Sequence, residues 1–86
     1  MKLKDSFITQ DIDDTQFLVP VGREAFSGIV RSNPTAAFIV ERLKEETTEK
    51  ALVEAVCREY DAPREVVAAD VSRILDTLRG IRALEE

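Results

Sequence analysis

The chain has no histidine, no tryptophan and only one cysteine among its 86 residues. Without histidine it lacks the side chain that most often serves as a general base near neutral pH, and it lacks the imidazole ligands of many zinc sites. The single Cys57 cannot form an internal disulfide, and we interpret it as a small core or boundary residue. We therefore expect neither a metal site nor a disulfide.

Glycine is also scarce. Its three occurrences stand alone, so neither a dinucleotide-binding loop nor a phosphate-binding loop can be written. The adjacent acidic residues Glu45 and Glu46, and Glu85 and Glu86, fall at helix ends or in the tail, where such pairs are usually solvated charge and not a catalytic dyad. The sequence therefore predicts a protein that is not an enzyme, with no catalytic residues and no cofactor.

Long apolar runs are absent as well. The longest stretch free of charge has nine residues, 32–40, whereas a membrane-spanning helix needs about 20. The first residues lack the apolar middle region of a secretory signal. Seventeen acidic residues against twelve basic ones give a net charge of -5, which repels phosphate backbones and anionic lipids. We expect a cytoplasmic protein that binds neither nucleic acid nor membrane.

What is present fits one compact domain that spans residues 1–86. The hydrophobic share is 44%, the aromatic share 6% and the charged share 34%, as in an ordinary globular domain of this small size. No repeat, low-complexity tract or linker interrupts the sequence. A chain this short has little length to spare for an elaborate active site.

The first third of the chain has strand patterns. The segments FITQDID and QFLVPV predict two strands, and the second has Phe17, Val19 and Val21 on one face. Asp13, Asp14 and Thr15 supply turn chemistry between them, so an antiparallel hairpin is expected. The chain can turn again over residues 22–25, and residues 26–31 then predict a third strand. Pro20 argues against a complete hydrogen-bonded ladder at the end of the second strand, because it has no N–H.

Helical patterns fill the rest of the chain. Asn33 followed by Pro34 is a good helix start, and the apolar face of this helix extends to about residue 44. Thr47 or Thr48 can cap a second helix. Pro63 can serve as the first residue of a third helix, which Gly80 would close in a left-handed cap. The apolar stripes are Ala36, Ile39, Val40 and Leu43, then Leu52, Val53, Val56 and Tyr60, then Val67, Val71, Ile74, Leu75 and Leu78.

The predicted fold class is therefore α+β, with a three-stranded antiparallel sheet followed by three helices. The second and third helices, joined by a tight turn, would form a winged helix-turn-helix with the strands as the wing. A DNA-binding regulator is the first alternative function, but the segment 64–82 has four arginines against Glu65, Asp70 and Asp76 in a chain that is acidic overall.

Binding through a sheet edge is the interpretation we favour. A three-stranded meander leaves its first and third strands as edges, and another extended chain can pair with either one. Gly28 lies between Phe26 and Val30 on one face of the third strand, where it permits close approach of a backbone or leaves a pocket. A bulge, or tight packing against the first helix, remains the alternative explanation of this glycine. A structural protein that pairs with its own copy through the third strand is a further alternative function.

The order FLVPVG, FSGIV, SNPTAAFI and LVEAVCREYDAPREVVAADVSRILDTLR resembles the PqqD family, named after the pyrroloquinoline quinone (PQQ) synthesis protein D. The resemblance covers about residues 7–81. It implies a winged helix-turn-helix protein that is not an enzyme and has no cofactor. Such a protein binds the leader of a ribosomally made precursor peptide as an added strand. It presents the peptide to a modifying enzyme, often a radical S-adenosylmethionine protein, in PQQ or other peptide maturation.

The resemblance also indicates which residues would contact the leader. Main-chain pairing falls on the third strand, and the facing wall of the groove falls on the third helix. Arg73 could pair with an acidic leader residue, although an intrahelical partner for Asp70 is an equally good interpretation. We expect a monomer or a weak homodimer. The predicted peptide-binding residues are Phe26, Ser27, Gly28, Ile29, Val30, Arg31, Asp70, Arg73, Ile74 and Thr77.

Overall fold

The computed structural model describes residues 1–21 and 30–86, and it has two antiparallel sheets and three helices. The larger sheet has the order β2-β3-β4, and the smaller one pairs β1 with β5. The predicted α+β class, with a three-stranded sheet followed by three helices, is confirmed. The elements are β1 (Lys2–Leu3), β2 (Phe7–Ile12), β3 (Thr15–Pro20), β4 (Val30–Ser32), α1 (Pro34–Arg42), α2 (Glu49–Glu59), α3 (Arg64–Gly80) and β5 (Leu84–Glu85).

The predicted hairpin of β2 and β3 is present, but its turn has only two residues, because Thr15, which was expected in the turn, is the first residue of β3. Asp13 and Asp14 have positive φ angles of 53° and 64°, and Ile12 pairs with Thr15 on either side of them. Two successive left-handed residues form the type I′ turn, whose twist matches that of the flanking strands. Aspartate tolerates this conformation because its short side chain can bond the local backbone.

The sequence analysis singled out the face of β3 with Phe17, Val19 and Val21. The opposite face of the hairpin packs against the core. Leu18 is fully buried and Gln16 is buried beside it, whereas Val19 is half-buried and Val21 is exposed. Phe7 is buried on the same side in β2. Alternation alone marks two faces of a strand, and the packing of the helices decides which of them becomes the core.

Two helix starts match the predictions, and the third differs by one residue. The side chain of Asn33 accepts a hydrogen bond from the Ala36 amide at 2.8 Å, and that of Thr48 accepts one from the Ala51 amide at 3.1 Å. Pro63 was expected as the first residue of α3, but its ψ of 139° is extended, so it is the cap and the helix begins at Arg64. Both arrangements suit a proline, because neither requires its missing N–H.

The prediction that Gly80 ends α3 in a left-handed conformation is wrong. Gly80 is the last helical residue, Ile81 follows with φ -99°, and Arg82 has the positive φ of 60°. The Ala83 amide then donates to the Leu78 carbonyl at 2.9 Å. The later reversal brings Ala83 and Leu84 into the core, where both are buried. The chain therefore reverses at Arg82, two positions after Gly80, because this placement buries Ala83 and Leu84.

Both ends of the chain join one hydrophobic core, which the sequence patterns did not predict. The pairing of β1 with β5 places Leu3 opposite Leu84, and the Leu3 amide also donates to the Leu43 carbonyl at 2.7 Å. No helix in the described residues is both long and apolar enough to cross a bilayer. The largest fully buried side chains of the core are Leu18, Ile39, Val40, Leu43, Leu52, Val71, Leu75 and Leu78.

Candidate functional site

The register of the hairpin determines which backbone groups of β3 point towards β4. Ile12 and Thr15 flank the two-residue turn and form a hydrogen-bonded pair, and at the other end of the hairpin Val21 donates to the Ser6 carbonyl at 2.7 Å. Bonded and non-bonded pairs alternate along an antiparallel ladder. The odd-numbered residues of β3 therefore bond β2, and the even-numbered ones turn their N–H and C=O groups to the other side.

On that other side, β4 pairs through alternate residues. Leu18 lies opposite Val30 and Gln16 lies opposite Ser32, and both are bonded positions by this alternation. Arg31, which lies between them, therefore turns its N–H and C=O away from β3. Within residues 1–21 and 30–86, no other strand pairs with this side of β4. Among the described residues, the outward N–H and C=O of Arg31 therefore have no strand partner.

The predicted third strand is only partly placed. Val30 and Arg31 lie in β4, which extends one residue further to Ser32. Four of the predicted peptide-binding residues lie outside the described residues. They are Phe26, Ser27, Gly28 and Ile29.

The four predicted residues of α3 lie on one face of that helix. Asp70, Arg73, Ile74 and Thr77 are spaced by three and four positions, as neighbours on a helix surface are. Asp70 and Ile74 are half-buried, whereas Arg73 and Thr77 are exposed. The face adjoins the buried stripe of α3, so its apolar member packs against the core.

The polar groups of this face bond one another. Arg73 Nη2 lies 3.2 Å from Asp70 Oδ1, and the Thr77 hydroxyl donates to the Arg73 carbonyl at 3.1 Å. In this structure Arg73 therefore has the intrahelical partner that the sequence suggested as one of its two interpretations. Both charges of this pair remain accessible to solvent, with 68% of the Arg73 side chain and 42% of the Asp70 side chain exposed. Ligand groups could therefore compete for either charge.

Helix α1 connects the Arg31 edge with the face on α3. It contacts both β4 and α3, and it also contacts α2. Phe38 on α1 meets the Tyr60 ring edge-on, with centroids 5.9 Å apart and an interplanar angle of 81°. The Arg42 guanidinium lies 5.2 Å from the Phe38 ring centroid. The contact of Phe38 with Tyr60 holds α1 against the end of α2, and α1 itself contacts both β4 and α3, so the two predicted parts of the site belong to one packed body.

The positive charge of α3 is largely paired with nearby carboxylates. Three of the four arginines in the segment 64–82 have a carboxylate within 4 Å, so they are not arranged as free contacts for phosphate groups. This arrangement argues further against the DNA-binding alternative. The pairs are Arg64–Glu54 at 3.7 Å, Arg73–Asp70 at 3.2 Å, Arg79–Asp76 at 3.1 Å and Arg79–Glu86 at 3.0 Å.

Gln16 is a polar residue near this edge that the sequence analysis did not single out. It is only 7% exposed, and its Nε2 donates to Glu41 Oε2 at 3.2 Å, while Oε1 has no hydrogen-bond partner. The Lys44 ammonium lies 2.9 Å from the same Glu41 oxygen. The sequence signal that could have identified Gln16 is its position two residues before the core residue Leu18. In the described part of the chain, no cluster of three metal-ligating side chains accompanies it.

Comparisons with known proteins agree with this geometry. The family described as coenzyme PQQ synthesis protein D (PqqD) matches residues 16–84. A solved structure, "TbiB1 in Complex with the TbiA(beta) Leader Peptide", is similar, with a TM-score of 0.82 and 26% sequence identity over 99% of this chain and 95% of that one. None of the curated proteins compared matches the chain significantly. The resemblance seen in the sequence is confirmed, and this chain belongs to the PqqD family.

Proposed function

We propose that this chain binds the leader of a ribosomally made precursor peptide as an added strand on the outer edge of β4. The observation that carries the proposal is the vacant backbone position at Arg31, on an edge that no described strand covers. The similarity over nearly the whole chain to a protein solved with a leader peptide supports it. From the sequence we expect the leader to pair also with residues 26–29, which lie outside the described residues.

Backbone pairing would supply affinity with little demand on the leader sequence. Selectivity then comes from the side chains that reach α3, as in other cases of strand addition. Ile74 is half-buried and suits an apolar leader residue. An acidic leader residue would compete with Asp70 for Arg73, and a basic one would compete with Arg73 for Asp70. Thr77 is exposed on the same face and completes the proposed wall.

The remaining parts of the proposed function concern the partners and the setting. The chain acts as a single domain over residues 1–86 and is not an enzyme. It carries the precursor peptide to a modifying enzyme, a radical S-adenosylmethionine protein, in the cytoplasm. PQQ synthesis or another peptide pathway provides the precursor.

The test is a titration of isotope-labelled protein with the leader of the precursor peptide encoded beside this gene. We expect amide shifts at residues 30–32 and 70–77, and protection of the Arg31 amide from hydrogen exchange, because that amide becomes bonded to the leader. Shifts spread evenly over the chain would contradict strand addition at β4. Shifts confined to β2 would place the leader on the other edge of the sheet.

A pair of variants at one position separates backbone pairing from side-chain contact. Arg31→Pro removes the outward N–H, which makes no bond to β3, whereas Arg31→Ala retains it. We expect Arg31→Pro to weaken leader binding by about tenfold, which corresponds to the loss of one hydrogen bond, and to leave the fold intact because an edge strand tolerates proline. Equal affinities of the two variants would contradict the proposal.

A further inference from the structure

The opposite edge of the large sheet also has vacant backbone positions. In β2, the even-numbered residues bond β3, so Thr9 and Asp11 turn their N–H and C=O groups outwards. Among the described residues, no strand pairs with this side of β2. The strand has six residues, which is long for an uncovered edge. Edges of this kind readily pair with another chain unless they are blocked.

The outward sheet face of the same strand is apolar. Ile8 is 44% exposed and Ile12 is 53% exposed, and both lie on the face opposite the core, with Gln10 between them. On β3, half-buried Val19 lies directly opposite Ile8. Single exposed apolar residues are common, but Ile8 and Ile12 are equally far from Gln10, which is also the midpoint between Thr9 and Asp11, so one two-fold axis can pair both sets.

We propose that a second copy of this chain pairs with β2 antiparallel, around a two-fold axis at Gln10. In this register Thr9 of each copy lies opposite Asp11 of the other, so the pairing uses both vacant backbone positions of each edge. Ile8 of each copy then lies opposite Ile12 of the other in a non-hydrogen-bonded pair, where Cα atoms are only about 4.5 Å apart. One operation therefore covers both exposed isoleucines and satisfies both vacant positions.

Charge complementarity supports the same register. An open groove of about 400 Å³ adjoins β2, and its charged lining residues are Lys4 and Lys44 against the single carboxylate of Asp5. Thr9 also lines the groove, and side chains of directly opposite residues share a face, so Asp11 of the second copy would enter it beside Thr9. There the Asp11 carboxylate would meet a lining with one net positive charge, although Lys44 already contacts Glu41 at 2.9 Å, and the two-fold axis repeats the contact.

The size of the contact predicts a weak dimer. A six-residue strand is about 20 Å long, and its edge buries less than the roughly 800 Å² per partner of a standard interface. The net charge of -5 on each copy opposes association further. The joined sheet has the order β4-β3-β2-β2-β3-β4, so both β4 edges stay at the outside. Self-pairing and leader binding at β4 therefore do not compete.

Sedimentation velocity from low-micromolar to near-millimolar protein tests the proposal. We expect a reversible monomer–dimer equilibrium for the natural chain. Thr9→Pro removes an outward N–H that makes no bond to β3 and is expected to abolish the dimer, whereas Thr9→Val retains the N–H and should leave it intact. Asp11→Lys should weaken it at least about tenfold, because a lysine replaces a carboxylate next to Lys4 and Lys44.

Circular dichroism of each variant establishes that the fold persists, and Asp11→Lys, at an exposed position, provides the test if Thr9→Pro unfolds. A natural chain that stays monomeric over the whole range would overturn the proposal. A dimer that Asp11→Lys does not weaken, or one that only Arg31→Pro abolishes, would also overturn it. The last result would place self-association on β4. Leader binding measured in the same samples reports on the proposed function independently.

Discussion

Arg82, and not a glycine, has the left-handed conformation that reverses the chain after α3, with φ 60°. Gly80, two positions earlier, is an ordinary helical residue, and a Cβ added there would meet no atom within 4 Å. Glycine loses more conformational entropy on folding than any other residue, and at position 80 no structural advantage offsets this loss.

Gly80→Ala is therefore expected to raise the free energy of unfolding by about 0.4–1 kcal/mol. Urea denaturation followed by circular dichroism measures the change. Ala69→Gly, at an exposed position of the same helix, is the matched control and should lower the free energy of unfolding by a similar amount. A destabilised Gly80→Ala variant would mean that the glycine has a role in the last turn.

Gln16 is the other residue with a specific energetic consequence. Its amide is buried, and its Nε2 donates to Glu41 at 3.2 Å. Gln16→Glu would place a second carboxylate, at a position that is only 7% exposed, against that of Glu41, whose side chain is 53% exposed. We expect this variant to lose about 2 kcal/mol or more of unfolding free energy at neutral pH and to regain part of it in acid.

Thermal or urea unfolding at two pH values measures this effect. Gln16→Met is the control, because it keeps the volume and removes both polar atoms, including the unpaired Oε1. Its stability should lie within about 1 kcal/mol of the natural chain. Similar losses in both variants would show that shape, and not charge, determines what position 16 tolerates.

At the scale of elements, an ion pair connects the end of α3 with Glu86, the residue that follows β5. Arg79 Nε lies 3.0 Å from Glu86 Oε2, and Nη2 lies 3.2 Å from Oε1, so the contact is bidentate. The hydrogen bond from Arg79 is the main reason why the pKa of Glu86 falls below its ordinary value of 4.5, and it raises the pKa of Arg79 in turn. Both groups are at the surface, where solvent and salt weaken such pairs.

The sign of the pH dependence follows from that lowered pKa. The pair contributes stability above the pKa of Glu86 in the unfolded chain, and the contribution disappears as the pH falls through the lower folded pKa. In an NMR titration of the side-chain carboxyl carbon of Glu86, we expect a midpoint below the ordinary glutamate value. Arg79→Met should move this midpoint upwards, whereas Arg73→Met should not. An unchanged midpoint in Arg79→Met would contradict the assignment of cause.

Elements whose boundaries depend on local chemistry were predictable. The turn at Asp13 and Asp14, and the caps at Asn33 and Thr48, arise from side chains that bond the backbone within three residues. Such contacts need no distant partner, so the sequence indicates them directly. In the candidate site, helical spacing in the sequence is enough to predict the face on α3. The outward backbone groups of Arg31 can be identified only from the register of three strands.

At the scale of the whole molecule, the two ends of the chain stabilise each other. Leu3 and Leu84 lie opposite in the β1–β5 pair and are both buried. Leu3→Ala and Leu84→Ala should each cost about 2–5 kcal/mol of unfolding free energy. Because the residues are in contact, the double variant should differ from the sum by at least about 0.5 kcal/mol.

A double-mutant cycle by urea denaturation measures this coupling. Leu3→Ala combined with Val66→Ala, at a residue 51% exposed on α3, is the control and should be additive within about 0.5 kcal/mol. Additivity of Leu3 with Leu84 as well would mean that the short β1–β5 pair carries no cooperative stability.

The sequence by itself determined the α+β order, the hairpin turn, two of the helix caps and the membership of the PqqD family. The family membership follows from the resemblance of the sequence motifs, whereas the other features depend on composition, periodicity and contacts between near neighbours. Only the tertiary structure decided which face of β3 is buried, where α3 ends, and that β1 pairs with β5. These outcomes depend on groups that are distant in sequence and meet only when the core packs, so no local pattern encodes them.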